Sequence, residues 1–238
     1  MTLIEAWERH ARDWITWVRK PGHDSYDRYH RDQFLPLLPP PGARTLDVGC
    51  GEGRLTRHLA SLGHRMVGID ASPTLIDAAR ASAPEMDLHV ANAAALPFEN
   101  ASFDLVVSFM CLHDVDDLDG AVREIARVLR PDGVVCIAVV HPLNSAGRFE
   151  KHGRFVIRGS YLASFRYADK VQRDELSMTF ESQHRPMSAY FDALSAAGLV
   201  VDALREPATE GHASWSRLPL FLHLRATPRG FCALPRSL

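Results

Sequence analysis

Leu46-Asp47-Val48-Gly49-Cys50-Gly51-Glu52-Gly53-Arg54 is the stretch on which the reading of the fold turns. Thr45-Leu46-Asp47-Val48 reads as a strand. Three glycines follow, and Leu55, Leu59 and Leu62 then recur at helical spacing until Gly63 stops them. Glycines between a strand and a helix permit a tight turn and let a ligand approach the backbone closely. The spacing is GxGxG, so the third glycine comes one residue earlier than in the GxGxxG of dinucleotide-binding folds, and no lysine follows as in a P-loop. Asp47 precedes the glycines and Glu52 lies among them. A pyrophosphate seeks amide donors and positive potential, which two carboxylates oppose; a ligand carrying positive charge is favoured by them. The competing reading is a tight turn with surface acids and no ligand.

Strand and helix signals alternate outward from this turn. Met66 to Asp70 reads as a strand, and Ser72-Pro73 caps a helix with proline at its first position. Asp87 to Ala91 and Asp104 to Met110 read as further strands. Ala121 to Arg130 carries one apolar face of a helix, and Pro131-Asp132-Gly133 turns the chain into the apolar run Val134 to Val140. Such alternation implies right-handed crossovers and a parallel sheet covered on both faces. Upstream, Leu3, Trp7, Ala11, Trp14, Ile15 and Val18 share a helical stripe ended by Pro21-Gly22, and a second short helix is expected over 25–38. Residues 144–185 break the rhythm, with strand-like pieces only at 155–157 and 178–180. Met187 to Ala197 is a helix stopped by Gly198, and 199–204 and 218–224 finish as strands. The expected organisation is one α/β domain over 1–238. It comprises a helical arm (1–42), a core (43–143), an insertion (144–185) and a C-terminal helix with strands (186–238).

Bulk properties narrow the function. The chain has 238 residues, 46% of them hydrophobic, and 27 basic against 29 acidic residues. A near-neutral chain has no global field for polyanions or anionic membranes. Cys50, Cys111, Cys136 and Cys232 form no CxxC pair, which favours free thiols over zinc or disulfide chemistry. The longest apolar run is far shorter than the roughly 20 residues that span a bilayer. No basic segment leads into an apolar one at the N-terminus, so the cytoplasm is the expected compartment.

Asp70 lies at the end of the second strand, where an acid can accept hydrogen bonds from both ribose hydroxyls of an adenosine. Together with the acidic turn this suits S-adenosylmethionine (SAM), a nucleoside bearing an ammonium and a sulfonium. LDVGCGEGRLT (46–56), VGIDASPTLI (67–76), ANAAALPFENASFDLVVS (91–108) and VLRPDGVVCI (128–137) resemble successive motifs of the class I SAM-dependent methyltransferases. The similarity is to the small-molecule group that includes the ubiquinone/menaquinone-biosynthesis type. It implies a Rossmann-like, seven-stranded, mostly parallel sheet with helices on both faces and an antiparallel last strand. It also implies that Asp47, Gly49, Cys50, Gly51 and Gly53 hold the methionine end of SAM and that Asp70 and Ala71 border the ribose. Asn92 and Ala93 then address the adenine edge, and the backbone near Phe109 meets the ligand's amino group. The family commonly has aspartate at position 92; asparagine keeps the accepting oxygen and loses the charge.

Methyl transfer from a sulfonium is an in-line displacement on an activated donor, yielding S-adenosylhomocysteine (SAH). It needs alignment and exclusion of water, and a base only if the nucleophile is protonated. His113 and His141 lie just past the ends of central strands and are the candidate bases, with packed histidines as the alternative. Asp114, Asp116 and Asp117 read as a loop and helix cap, and no metal is expected. The arm and the insertion are candidate lids. Trp17, Tyr26, Tyr29, Met110 and Tyr161 are placed against the acceptor, whereas Trp7 and Trp14 are assigned to the core. The insertion interleaves aromatic residues with eight basic and five acidic ones, which fits a cap over a flat small molecule or an RNA-binding surface. No Asn/Asp-Pro-Pro-Tyr motif follows the fourth strand and no Pro-Cys dipeptide exists, which favours a small-molecule O- or N-acceptor over nucleic acid. The expected partner is that acceptor alone, with no membrane and no nucleic acid, for a monomer or homodimer. A non-catalytic SAM-binding module and an RNA or protein methyltransferase are the alternatives.

Overall fold

The computed structural model describes residues 1–157, 159–209 and 214–230. Its N-terminal helix α1 (Leu3–Arg19) starts on a capping box, in which the Thr2 hydroxyl accepts from the Glu5 amide and the Glu5 carboxylate accepts from the Thr2 amide. The chain then reaches the α/β body as a continuous coil of three pitches. A π-helical turn (Tyr26–His30) leads into α2 (Arg31–Phe34) and a 3-10 turn (Leu35–Leu37).

The body alternates β1 (Thr45–Val48), α3 (Arg54–Ser61), β2 (Met66–Asp70), α4 (Pro73–Ser82), β3 (Asp87–Val90), β4 (Phe103–Phe109), α5 (Leu118–Val128) and β5 (Leu129–Val140). A short helix α6 (Pro142–Ser145) follows. Next come two hairpins, β6 (Gly147–Phe149) with β7 (Phe155–Ile157) and β8 (Phe165–Arg173) with β9 (Leu176–His184). Helix α7 (Met187–Ala196) and strands β10 (Leu199–Arg205) and β11 (Phe221–Pro228) complete it. The main sheet has seven strands in the order β10-β11-β5-β4-β1-β2-β3. The five strands β1 to β5 are parallel, and the last strand, β11, runs antiparallel to both β5 and β10. The Rossmann-like architecture read from the motifs is the one found.

Both faces of the sheet are buried, so the central strands are nearly continuous apolar runs. Val106, Val135, Ile137 and Val139 face α5 and α7, while Leu105, Val107, Cys136 and Ala138 face α3 and the 26–38 coil. Some boundaries differ from expectation for physical reasons. Helix α5 begins at Leu118 because the Asp117 carboxylate accepts from the Gly120 amide. The Pro131-Asp132-Gly133 turn is absorbed within β5 as an irregularity, between the pairs Phe103↔Leu129 and Leu105↔Val134. The expected strand over 218–224 is instead Phe221–Pro228. The nine-pair β8–β9 hairpin was legible only at 178–180. Its turn residues, Asp174 and Glu175, hold φ of 45° and 69° without a glycine to announce them.

Candidate functional site

The C-terminal ends of β1, β2 and β4 open onto one cavity of ≈ 490 Å³, roofed by α1 and the β8–β9 hairpin. That volume lies within the ordinary range for small-ligand sites. Gly49 shows why the turn needs glycine. Its φ is +75°, and a Cβ there would stand 2.3 Å from the Cys111 sulfur. Asp47 is fully buried in the floor. The Thr56 hydroxyl donates to its Oδ2 at 2.7 Å, whereas Oδ1 has no partner. Burial pushes its pKa up to about 7, and the neighbouring Asp70 adds to the shift. Asp70 accepts from the Gly51 amide through Oδ2 and from the Ser72 amide through Oδ1, both at 2.9 Å. Its carboxyl is therefore clamped in place with further lone pairs to offer; burial raises its pKa.

The cavity gathers most of the residues assigned to it from sequence. Asp47, Gly49, Cys50, Gly51, Asp70, Ala71, Asn92, Ala93, Phe109, Met110, His113 and Trp17 all line it. Asn92 is exposed, and its side-chain oxygen already accepts from the Ala94 amide at 2.9 Å. The carboxamide assigned to the adenine amine is thus partly spent on its own turn.

Five of the assigned residues lie away from the cavity wall. Gly53 does not line the cavity; it caps α3 with φ of 83° and packs against Ala79. Tyr26 is buried behind Phe109, with its hydroxyl 2.7 Å from the His58 Nδ1. Tyr29 lies against Phe221 and does not itself line the cavity. The Tyr161 hydroxyl accepts from the Met187 amide and serves the start of α7. His141 caps α6: its Nδ1 accepts from the Leu143 amide and its Nε2 stands 3.0 Å from Glu206, so neither nitrogen lines the cavity. Tyr26, Tyr29, Tyr161 and His141 are thus not among the residues that line the cavity.

Other residues enter the cavity against expectation. Trp7 and Trp14 are half-buried and line it, because α1 covers the sheet edge and packs on α4 and β9 instead of joining the core. Glu52 lies in the wall, but Arg57 at 3.0 Å and Arg19 at 3.4 Å neutralise it. Its charge therefore does not face a ligand, and Asp70 supplies the second acid of the turn. Asp114 faces the cavity with Oδ1 unpartnered, and burial holds its carboxyl well above the usual range. His113 is also buried; burial first and the nearby Arg185 second lower its pKa to about 3, leaving a neutral imidazole. Cys50 and Cys111 line the cavity as unpaired thiols whose pKa burial raises, so they are not thiolates. Cys232 lies outside the described residues. No cluster of metal-ligating side chains exists among the described residues, and no helix there is long and apolar enough to cross a membrane.

Residues 46–137 match the family model described as a methyltransferase domain. The chain is similar to a ubiquinone biosynthesis O-methyltransferase of Chelativorans sp., 32% identical over 146 residues that cover 59% of this chain and 58% of that protein. It thus spans less than two thirds of that relative's length. Its fold is similar to that of a SAM-dependent methyltransferase from Mesorhizobium loti, with a TM-score of 0.67, 23% identity and coverage of 82% and 95% of the two chains. The glycopeptide N-methyltransferase MtfA, solved with SAM, has a TM-score of 0.64 at 17% identity and coverage of 90% and 91%.

Proposed function

We propose that the chain, whose residues 46–137 match a methyltransferase domain, uses SAM and transfers its methyl group to an oxygen or nitrogen of a small molecule. The observation that carries the proposal is Asp47, a fully buried carboxyl with one oxygen unpartnered, in a cavity that Asp70 and Ala93 also line. A buried acid left without a partner is costly unless a cation completes it, and the SAM ammonium is such a cation. Asp47 and the Gly49–Gly51 backbone hold the methionine end, Asp70 the ribose, and Asn92–Ala93 the adenine edge. SAM supplies an activated methyl group when bound. The protein's share is to align the acceptor, to exclude water with α1 and the β8–β9 hairpin as the substrate cap, and to manage any proton the acceptor releases. His113 is poised to accept a proton because it is neutral, although its low pKa makes it a weak base.

Calorimetry with SAM, SAH and NAD tests the assignment: SAM and SAH bind, and NAD does not. Asp70→Ala lowers SAM affinity tenfold or more, since its carboxyl is the ribose anchor. NAD binding in place of SAM, or unchanged SAM affinity in the variant, contradicts the proposal.

A further inference from the structure

The cavity holds more acid than the cofactor needs. SAM brings an ammonium and two ribose hydroxyls for acids to hold, and Asp47 and Asp70 answer them. Asp24 is paired with Arg54, Glu52 with Arg57 and Arg19, and Asp116 with Arg166, while Asp117 caps α5. Asp114 and Asp169 remain. The Asp114 side chain is only 10% exposed and its Oδ1 has no hydrogen-bond partner. The nearest basic side chain is His113, with its Nε2 at 3.6 Å, and that imidazole is neutral. Arg185 lies close by, but it donates to the carbonyls of Leu112, Val115 and Asp116. Asp169 stands on the roof hairpin opposite Phe180, and among the described residues it forms no ion pair.

Aromatic rings stand around these acids as near-perpendicular panels. Trp7 meets Trp14 at 6.0 Å and 88°, and Trp14 meets Phe180 at 6.0 Å and 75°. All three line the cavity, and the Trp7 indole lies beside the Asp114 carboxyl. Rings set at right angles around a cavity present negative faces to a guest from several directions, the arrangement that holds alkylated ammonium ions. A cation draws each of these buried acids into its carboxylate form and pairs with it, whereas a neutral phenol or an anionic acid brings no positive charge to do so.

We infer that the methyl acceptor is a cationic amine, seated between the Trp7–Trp14–Phe180 panels with its ammonium on Asp114. This rests on the methyltransferase reading and names its substrate class. Asp114 also solves the chemical difficulty of such an acceptor, because an ammonium has no free pair. One N–H bond breaks, the proton passes to the Asp114 carboxylate, and the nitrogen keeps the electrons it needs as a nucleophile. Burial, which raises the proton affinity of Asp114, favours that transfer.

The test uses three probes that share an indole ring and differ in charge, tryptamine, tryptophol and indole-3-acetate, with tetramethylammonium as a compact cation. Each is titrated into the full-length protein saturated with SAH, and tryptophan fluorescence and calorimetry are recorded. Tryptamine is expected to bind at least tenfold more tightly than tryptophol, a difference of about 1.4 kcal/mol, and indole-3-acetate weakest of all. Asp114→Asn lowers tryptamine affinity at least tenfold and leaves tryptophol and SAH affinities as they were; the SAH value also reports that the variant is folded. Tryptophol or indole-3-acetate binding as tightly as tryptamine overturns the inference, and so does failure of both cations to bind the SAH-loaded protein. Failure of SAH itself to bind removes the methyltransferase reading, and the acceptor assignment with it.

Discussion

Asp47 combines full burial, one bond from Thr56 and a pKa pushed up to about 7. Unfolded, the same group titrates near 4. Between those values the folded protein holds the extra proton, so stability contributed by Asp47 is present at low pH and lost as pH rises through about 7. The loss is on the order of 4 kcal/mol. Asp47→Asn is therefore expected to raise Tm at pH 8 in the absence of ligand while weakening SAM binding at least tenfold. Thermal melts from pH 4 to 8 check the first outcome and calorimetry the second. Binding an ammonium beside Asp47 favours its carboxylate, so at pH 6 SAM binding to the unsubstituted protein should release a proton. Calorimetry in two buffers of unlike ionisation enthalpy measures that release, and an enthalpy independent of buffer contradicts it. Position at a strand end made Asp47 and Asp70 legible in the sequence. Asp114 was not legible as a site residue, because its burial, and the approach of Ser182 and Trp7 to its carboxyl, come from residues far away in the chain.

The secondary elements divide the work between a rigid body and an attached roof. The roof is tied down by a few polar contacts at the 112–116 turn. The Leu3 amide donates to Asp116, Arg166 pairs with Asp116, and Arg185 donates to the carbonyls of Leu112, Val115 and Asp116. Arg185 is buried, so removing its guanidinium strands three carbonyls. Arg185→Met is expected to cost about 2–3 kcal/mol. Hydrogen exchange should accelerate in 110–117 and 165–184 while β1 and β4 stay protected, and equal exchange in the two proteins rejects this anchoring role. Most body elements were legible because strands buried on both faces are apolar throughout and their helices carry caps or one apolar stripe. The roof was not: β8 mixes Arg166, Asp169, Lys170 and Arg173 with few apolar residues, and its turn lacks glycine. The 25–38 coil was read as one helix, and its change of pitch answers to packing of Tyr26, His30 and Phe34 on the sheet.

Across the whole molecule, buried acids and buried imidazoles set opposing pH dependences. His30 and His223 face each other with Nδ1 and Nε2 2.8 Å apart beneath the 26–38 coil. Burial lowers both, His223 to about 4. Their unfolded value is near 6.5, so the stability they contribute is present above 6.5 and lost as pH falls towards 4. For His223 this amounts to about 3 kcal/mol. Asp47 gains stability over much of the same interval, which masks the loss. Asp47→Asn should therefore show a steeper fall in Tm between pH 6.5 and 4 than the unsubstituted protein. Parallel profiles would show that the two sets of groups do not compensate.

From the order of residues alone came the parallel body and the acids at the ends of β1 and β2, because local periodicity and turn chemistry encode them within a short window; the antiparallel last strand was implied only by the family resemblance. Tertiary structure alone decided which aromatic rings face the cavity, which acids keep an unpaired charge, and which histidines merely hold the fold. Trp7 and Tyr26 differ little as sequence. One stands over the cleft and the other behind Phe109 because α1 crosses to β9 while the following coil returns to the sheet. Burial and pairing arise from contacts between residues far apart in the chain, and those contacts set the charge that a ligand meets.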